Sequence, residues 1–173
     1  MRKIVFALAI VFIAFFAKAQ ESADADTLWK FSGITSLNVS QLSLTNWAAG
    51  GDNSLSGNAL INLAANYAKE KTSWENKLIL GFGLNKQGND PTRKSDDQID
   101  FASKLGFKAS EKWFYTGLLG FKTQFAQGYD NPGDVDRLKI SNFMAPGYLS
   151  FSLGMDYKPS EVFSVFLSPI SSK

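Results

Sequence analysis

Chemistry in this chain must come from carboxylates, hydroxyls and amines, because its 173 residues include neither histidine nor cysteine. Without histidine there is no ordinary general base for a Ser-His-Asp or Cys-His hydrolase, and no imidazole for a metal. Without cysteine there is no disulfide, no thiolate metal site and no attachment point for a thioether-linked lipid. The oxygen-rich candidates lie in expected loops. Asp130, Asn131, Asp134 and Asp136 could gather around calcium, but their spacing does not match an EF-hand loop. Solvated loop carboxylates are the simpler reading, and Asp52, Asp90, Asp96 and Asp97 take it too. Glu75 and Lys77 could exchange a proton, yet on one strand face they read as a mutually neutralising pair. No catalytic, cofactor-binding or metal-ligating residue is therefore assigned. The expectation is a protein that is not an enzyme and carries no cofactor.

The most distinctive segment is Asn46-Trp47-Ala48-Ala49-Gly50-Gly51-Asp52-Asn53. Two adjacent glycines permit positive φ and a tight reversal, and Asn and Asp add local side-chain hydrogen bonds. It reads as a hairpin turn with a ring packed over it. A binding loop built around Trp47 is the functional alternative.

The elements that must position these residues are strands. Period-2 alternation of apolar and polar side chains predicts seven of them. They run over about Trp29–Ser43, Leu55–Lys69, Trp74–Asn85, Gln98–Ser110, Trp113–Gln127 and Tyr148–Tyr157, with a seventh starting near Val162 and weakening at Pro169. In the first, Leu42 and Leu44 change parity, which predicts a bulge near Gln41. The tetrapeptide Leu-Gly-Phe-Lys occurs twice, at Leu105–Lys108 and Leu119–Lys122, a weak sign of hairpin self-similarity.

Three features predict that the apolar face looks outward, into lipid. Trp29, Tyr67, Trp74, Trp113, Tyr115 and Tyr157 collect where strands meet short charged turns, as rings do at a membrane–water boundary. Most strands reach the ~9–11 residues needed to cross hydrocarbon, against ~5–6 in an ordinary sandwich. The connections also alternate in length, with short turns at 69–73, 111–112 and 158–161 and longer ones at 46–53, 86–97 and 128–142. The polar face holds Gly, Ser and Asn with charges of both signs (Glu75, Lys77, Asp100, Lys104, Lys108, Lys122), which suits a crowded interior where they can pair. The expected fold is all-β, an antiparallel up-and-down transmembrane β-barrel. The competing reading is a secreted or periplasmic soluble β-barrel binding a small apolar ligand among Leu63, Leu80, Phe101 and Phe121.

A leader precedes the strands. Arg2 and Lys3 start it, Ile4–Phe16 is an unbroken apolar run, and Ala17-Lys18-Ala19 supplies a cleavage site. The run is shorter than the ~20 residues of a spanning helix. The division expected is a helical signal peptide over 1–19, a flexible lead-in over 20–28 and a barrel domain over 29–173. Losing Arg2, Lys3 and Lys18 turns the precursor's net +2 slightly acidic, so no basic face argues for nucleic acid.

The run from Trp29 to Gly57, with Gln41, Asn46-Trp47 and Gly50-Gly51, resembles the Bacteroidota proteins grouped as domain of unknown function 3078. The resemblance extends over the rest of the mature chain. It implies an outer-membrane β-barrel exported by the Sec route, with outer-membrane lipid and the barrel-assembly machinery as partners. It supplies no activity, so a structural, transport or binding role stays open. Members are typically longer, and bacterial barrels normally close with an even strand number. Seven strands and no terminal aromatic residue therefore suggest a C-terminally truncated barrel, or several copies sharing one.

Overall fold

The computed structural model describes residues 28–45, 50–133, 135–160 and 163–173. The leader, nearly all of the lead-in, and Asn46-Trp47-Ala48-Ala49 lie outside them. The described residues are all-β: β1 (Trp29–Leu42), β2 (Ser54–Lys69), β3 (Thr72–Gln87), β4 (Arg93–Lys108), β5 (Trp113–Thr123), β6 (Gly128–Tyr129), β7 (Lys139–Ser141), β8 (Tyr148–Ser160) and β9 (Phe163–Ser172). Seven form one antiparallel meander in the order β1-β2-β3-β4-β5-β8-β9, while β6 and β7 make a small hairpin inside the β5–β8 connection. The sheet is open. Among the described residues β1 and β9 are free edges: the seven-strand meander expected from the sequence is there, and no closed barrel is formed.

The short and long connections alternate as the turn chemistry predicts, but several boundaries move. β1 pairs with β2 without a register break down to Leu42↔Ser54, so there is no bulge at Gln41. The parity change at Leu42 and Leu44 marks the end of the strand instead. Residues 86–97, expected as a loop, are mostly strand, with β3 ending at Gln87 and β4 starting at Arg93. A bulge at Gly83/Leu84 leaves Ser95 as the extra residue. β9 runs through Pro169 to Ser172, which an edge strand tolerates because no ladder bond is lost on its open side.

Registration puts like with like across the sheet. Leu63, Leu78, Phe101, Phe121 and Leu149 are successive partners across β2, β3, β4, β5 and β8. A one-residue slip in any ladder would break that row. At the end of the short turns the rings gather: Trp29 lies 5.2 Å from Tyr67 and 5.5 Å from Trp74, and Trp113 lies 4.8 Å from Tyr157, centroid to centroid. Offset, tilted pairs of this kind add ~0.5–1.5 kcal/mol each beyond area burial.

The two faces are inverted relative to a soluble sheet. Among the described residues no hydrophobic side chain is buried, and Phe31, Leu37 and Leu149 are 78, 75 and 62% exposed. The buried positions are Gly81, Gly83, Gly106, Thr116, Thr123, Gly128 and Asp156. Glu75 on β3 meets Lys158 on β8 at 2.6 Å, although β4 and β5 lie between them. Three strand spacings of ~4.8 Å separate these strands in a flat sheet. Only a strong curl with the polar face inside brings the two groups together.

The curl draws on glycine where the backbone crowds. At the β8–β9 bulge a Cβ on Gly154 would run into the Leu167 carbonyl oxygen, whereas one on Gly57 would meet open space. Gly154→Val should therefore cost about 1–3 kcal/mol by forcing a backbone shift, while Gly57→Ala stays near neutral. Denaturant unfolding of the refolded variants checks this; equal stability of the two would contradict the bulge geometry.

Candidate functional site

The residues that could act on a ligand lie on the concave face and at the long-loop end of the sheet. On the concave face, Asp156 of β8 is 1% exposed and is held by Lys104 of β4 at 2.5 Å. Lys158 approaches the same Asp156 oxygen at 3.5 Å and binds Glu75 at 2.6 Å. The second Asp156 oxygen, Oδ1, is buried without a partner. Phe166 and Phe114 cover the two ammonium groups, at 5.4 Å from Lys104 Nζ and 5.5 Å from Lys158 Nζ. Nearer the loops, Lys122 pairs with Asp100 at 2.7 Å in a more exposed setting.

Mixed charges therefore do pair inside the curl, but the partners differ from those expected. Glu75 takes Lys158, from three strands away, and not Lys77, its neighbour on the same strand face. Sequence spacing cannot register that pairing, since it exists only once the sheet is curved. The Asp156 pivot was legible only as one polar residue in an alternating strand.

At the long-loop end, Asp97 acts as a clamp. Its Oδ1 accepts the Phe125 N–H at 2.6 Å, and its Oδ2 accepts the Ala126 N–H at 3.0 Å. Lys94 Nζ bonds that carboxylate at 2.5 Å and also donates to the Ala126 carbonyl at 2.8 Å. Thr123 ties the far side of the same connection, accepting from the Met144 N–H and donating to the Pro146 carbonyl. Asp97 was expected to be a solvated loop carboxylate. It is instead a strand residue with a 5% exposed side chain, because β4 starts earlier than its polar sequence suggests.

These ties enclose a polar cavity of about 360 Å³, lined by Arg93, Lys94, Ser95, Asp96, Tyr129 and Ser141 among others. Asp96 accepts a bond from Asn58 at 3.2 Å, and the Arg137 guanidinium stacks 4.4 Å from the Tyr129 ring. Such a lining can hydrogen-bond a small polar solute. With no histidine in the chain, it offers no imidazole base for group transfer.

The remaining sequence candidates do not converge. Asp130 donates its backbone N–H to the Leu138 carbonyl within the loop hairpin, and Asp134 lies outside the described residues. Among the described residues no three carboxylates are grouped to hold a metal ion. Trp47 is also outside them, so the binding-loop alternative rests on sequence alone. The glycines beside it do what their chemistry allows: Gly50 and Gly51 have φ of 81° and 121°. Asn53 accepts the Leu44 N–H at 2.6 Å across the reversal.

Removing the clamp should loosen only its own loop. Asp97→Ala strands two amides and the Lys94 ammonium, a loss of about 2–3 kcal/mol for charge-assisted bonds. Amide exchange at Phe125 and Ala126 should quicken while that of β2 and β3 stays unchanged. Unaltered exchange at both amides would show that the carboxylate does not hold the loop.

Comparison with known proteins gives a family and nothing finer. No curated protein and no solved structure matches the chain. Residues 39–129, from the end of β1 to the loop hairpin, match the family model described as protein of unknown function DUF3078. That span takes in more than half of the chain, which therefore belongs to the DUF3078 family.

Proposed function

We propose that this protein is an outer-membrane β-barrel protein whose apolar face contacts acyl chains and whose polar face lines an aqueous interior. The observation that carries the reading is the inverted burial, with glycine, threonine and an aspartate inside and leucine and phenylalanine outside. In water, a continuous apolar surface of this extent would drive association. In hydrocarbon it is the favourable solvent contact. The two clusters Trp29–Tyr67–Trp74 and Trp113–Tyr157 at the short-turn end then form one aromatic girdle, on the periplasmic side.

The dimensions agree. β2, β3 and β4 are each 16 residues long. A strand of that length extends about 53 Å and, tilted by about 45°, rises about 37 Å, enough to clear an apolar band of about 25 Å. β1 and β9 run in the same direction, as the first and seventh strands of an antiparallel meander.

The remaining parts of the reading follow. The Sec leader is removed after Ala19, the barrel-assembly machinery inserts the chain, and outer-membrane lipid is its solvent. Its role is structural, transport or binding and not enzymatic, with no nucleic acid as partner. The polar loop-end cavity favours binding of a small polar solute over the alternative of a soluble barrel holding an apolar one. Leu63, Leu80, Phe101 and Phe121, which would line an apolar cavity, share the convex face, and Leu63 is 45% exposed.

Cell fractionation tests the proposal. The protein should sediment with the outer membrane, require detergent for extraction and migrate faster on a gel before boiling than after. Recovery as a folded protein in the soluble periplasmic fraction would refute it.

A further inference from the structure

Two separate polar spaces lie toward opposite ends of the sheet. At the short-turn end lies a polar recess of about 560 Å³, bordered by Lys30, Asn66, Glu75, Lys158 and Phe163 among others. Strands from both free edges, β1 through Lys30 and β9 through Phe163, reach it. At the other end is the loop cavity of about 360 Å³. The space adjoining the recess on its loop side is bounded by Glu75, Lys104, Thr116, Asp156 and Lys158, and has no room for a water molecule.

We infer that the Glu75–Lys158–Asp156–Lys104 cluster is a plug that seals the interior to ions and solutes, so that the loop-end cavity is a blind recess and not the mouth of a pore. Three observations carry this. The cluster links β3, β4 and β8, and the cation–π contact of Lys104 with Phe166 extends it to β9, so it spans much of the curl and not one ladder. It is electrically balanced, two ammonium groups against two carboxylates, so it needs no mobile counter-ion. And its pivot is enclosed: Asp156 is 1% exposed and paired with Lys104, and the space beside it has no room for a water molecule. A conducting lumen keeps its charges lining a wetted wall; here they meet across it.

The inference rests on the membrane reading, and the test separates the two. Full-length protein refolded into vesicles is first floated on a density gradient; failure to float removes the membrane reading itself. Floated protein is then fused into a planar bilayer at moderate salt. Wild type should insert and leave the bilayer electrically silent. The variant with Glu75→Ala, Lys104→Ala, Asp156→Ala and Lys158→Ala strands no charge and should lose the seal, giving discrete conductance steps. Lys122→Ala, which breaks only the exposed pair with Asp100, should stay silent. Conduction by inserted wild type overturns the plug. So does a fourfold variant that folds, as judged by gel mobility, and remains silent. If that variant does not fold, the neutral pair Glu75→Gln with Lys158→Gln decides the matter by the same reading, leak or silence.

Discussion

One constraint organises the molecule: the polar side of the sheet is the side that is buried. A soluble domain gains its stability by hiding apolar area, and here no hydrophobic side chain among the described residues is hidden. What the interior contributes is electrostatic and geometric. Asp156 draws Lys104 and Lys158 to one point, and Glu75 completes the set from the far side of β4 and β5. Replacing a buried ion pair with packed hydrophobes is often neutral, whereas stranding one member costs about 3–5 kcal/mol. The cluster joins β8 to β3 and β4 across the curl.

Small residues make that curvature accessible. Gly81 faces Asp96 and Gln98 so closely that a Cβ would sit 2.7 Å from the Asp96 carboxylate. Gly120 leaves room for the Ser150 hydroxyl in the same way, and Gly154 accommodates the β9 backbone at a bulge. At these positions the concave side carries small residues, which a curled sheet needs where its inner surface is most crowded.

Most of the fold could be read from the sequence because period 2 is a strong, local signal. Leu78, Leu80 and Phe82 against Lys77, Gly81 and Gly83 fix both a strand and its two faces. What could not be read were features set by partners elsewhere. β4 begins at Arg93 because its polar residues pair with β3 near the loops, beyond the reach of any apolar pattern. Likewise the Asp97 clamp on Phe125 and Ala126, and the Glu75–Lys158 pair, join residues 28 and 83 positions apart. The reverse also holds: the parity change at Leu42 resembled a bulge and was simply a strand end.

The central claim, that the apolar face meets hydrocarbon, is open to a direct measurement because the chain has no native cysteine. A single cysteine placed in turn at positions 77 to 82 and labelled with a polarity-sensitive fluorophore would report each side chain's surroundings in vesicles. The account requires strict alternation, with an apolar signal at 78, 80 and 82 and a wet or polar one at 77, 79 and 81. A polar signal at 78, 80 and 82, or no alternation at all, would contradict it.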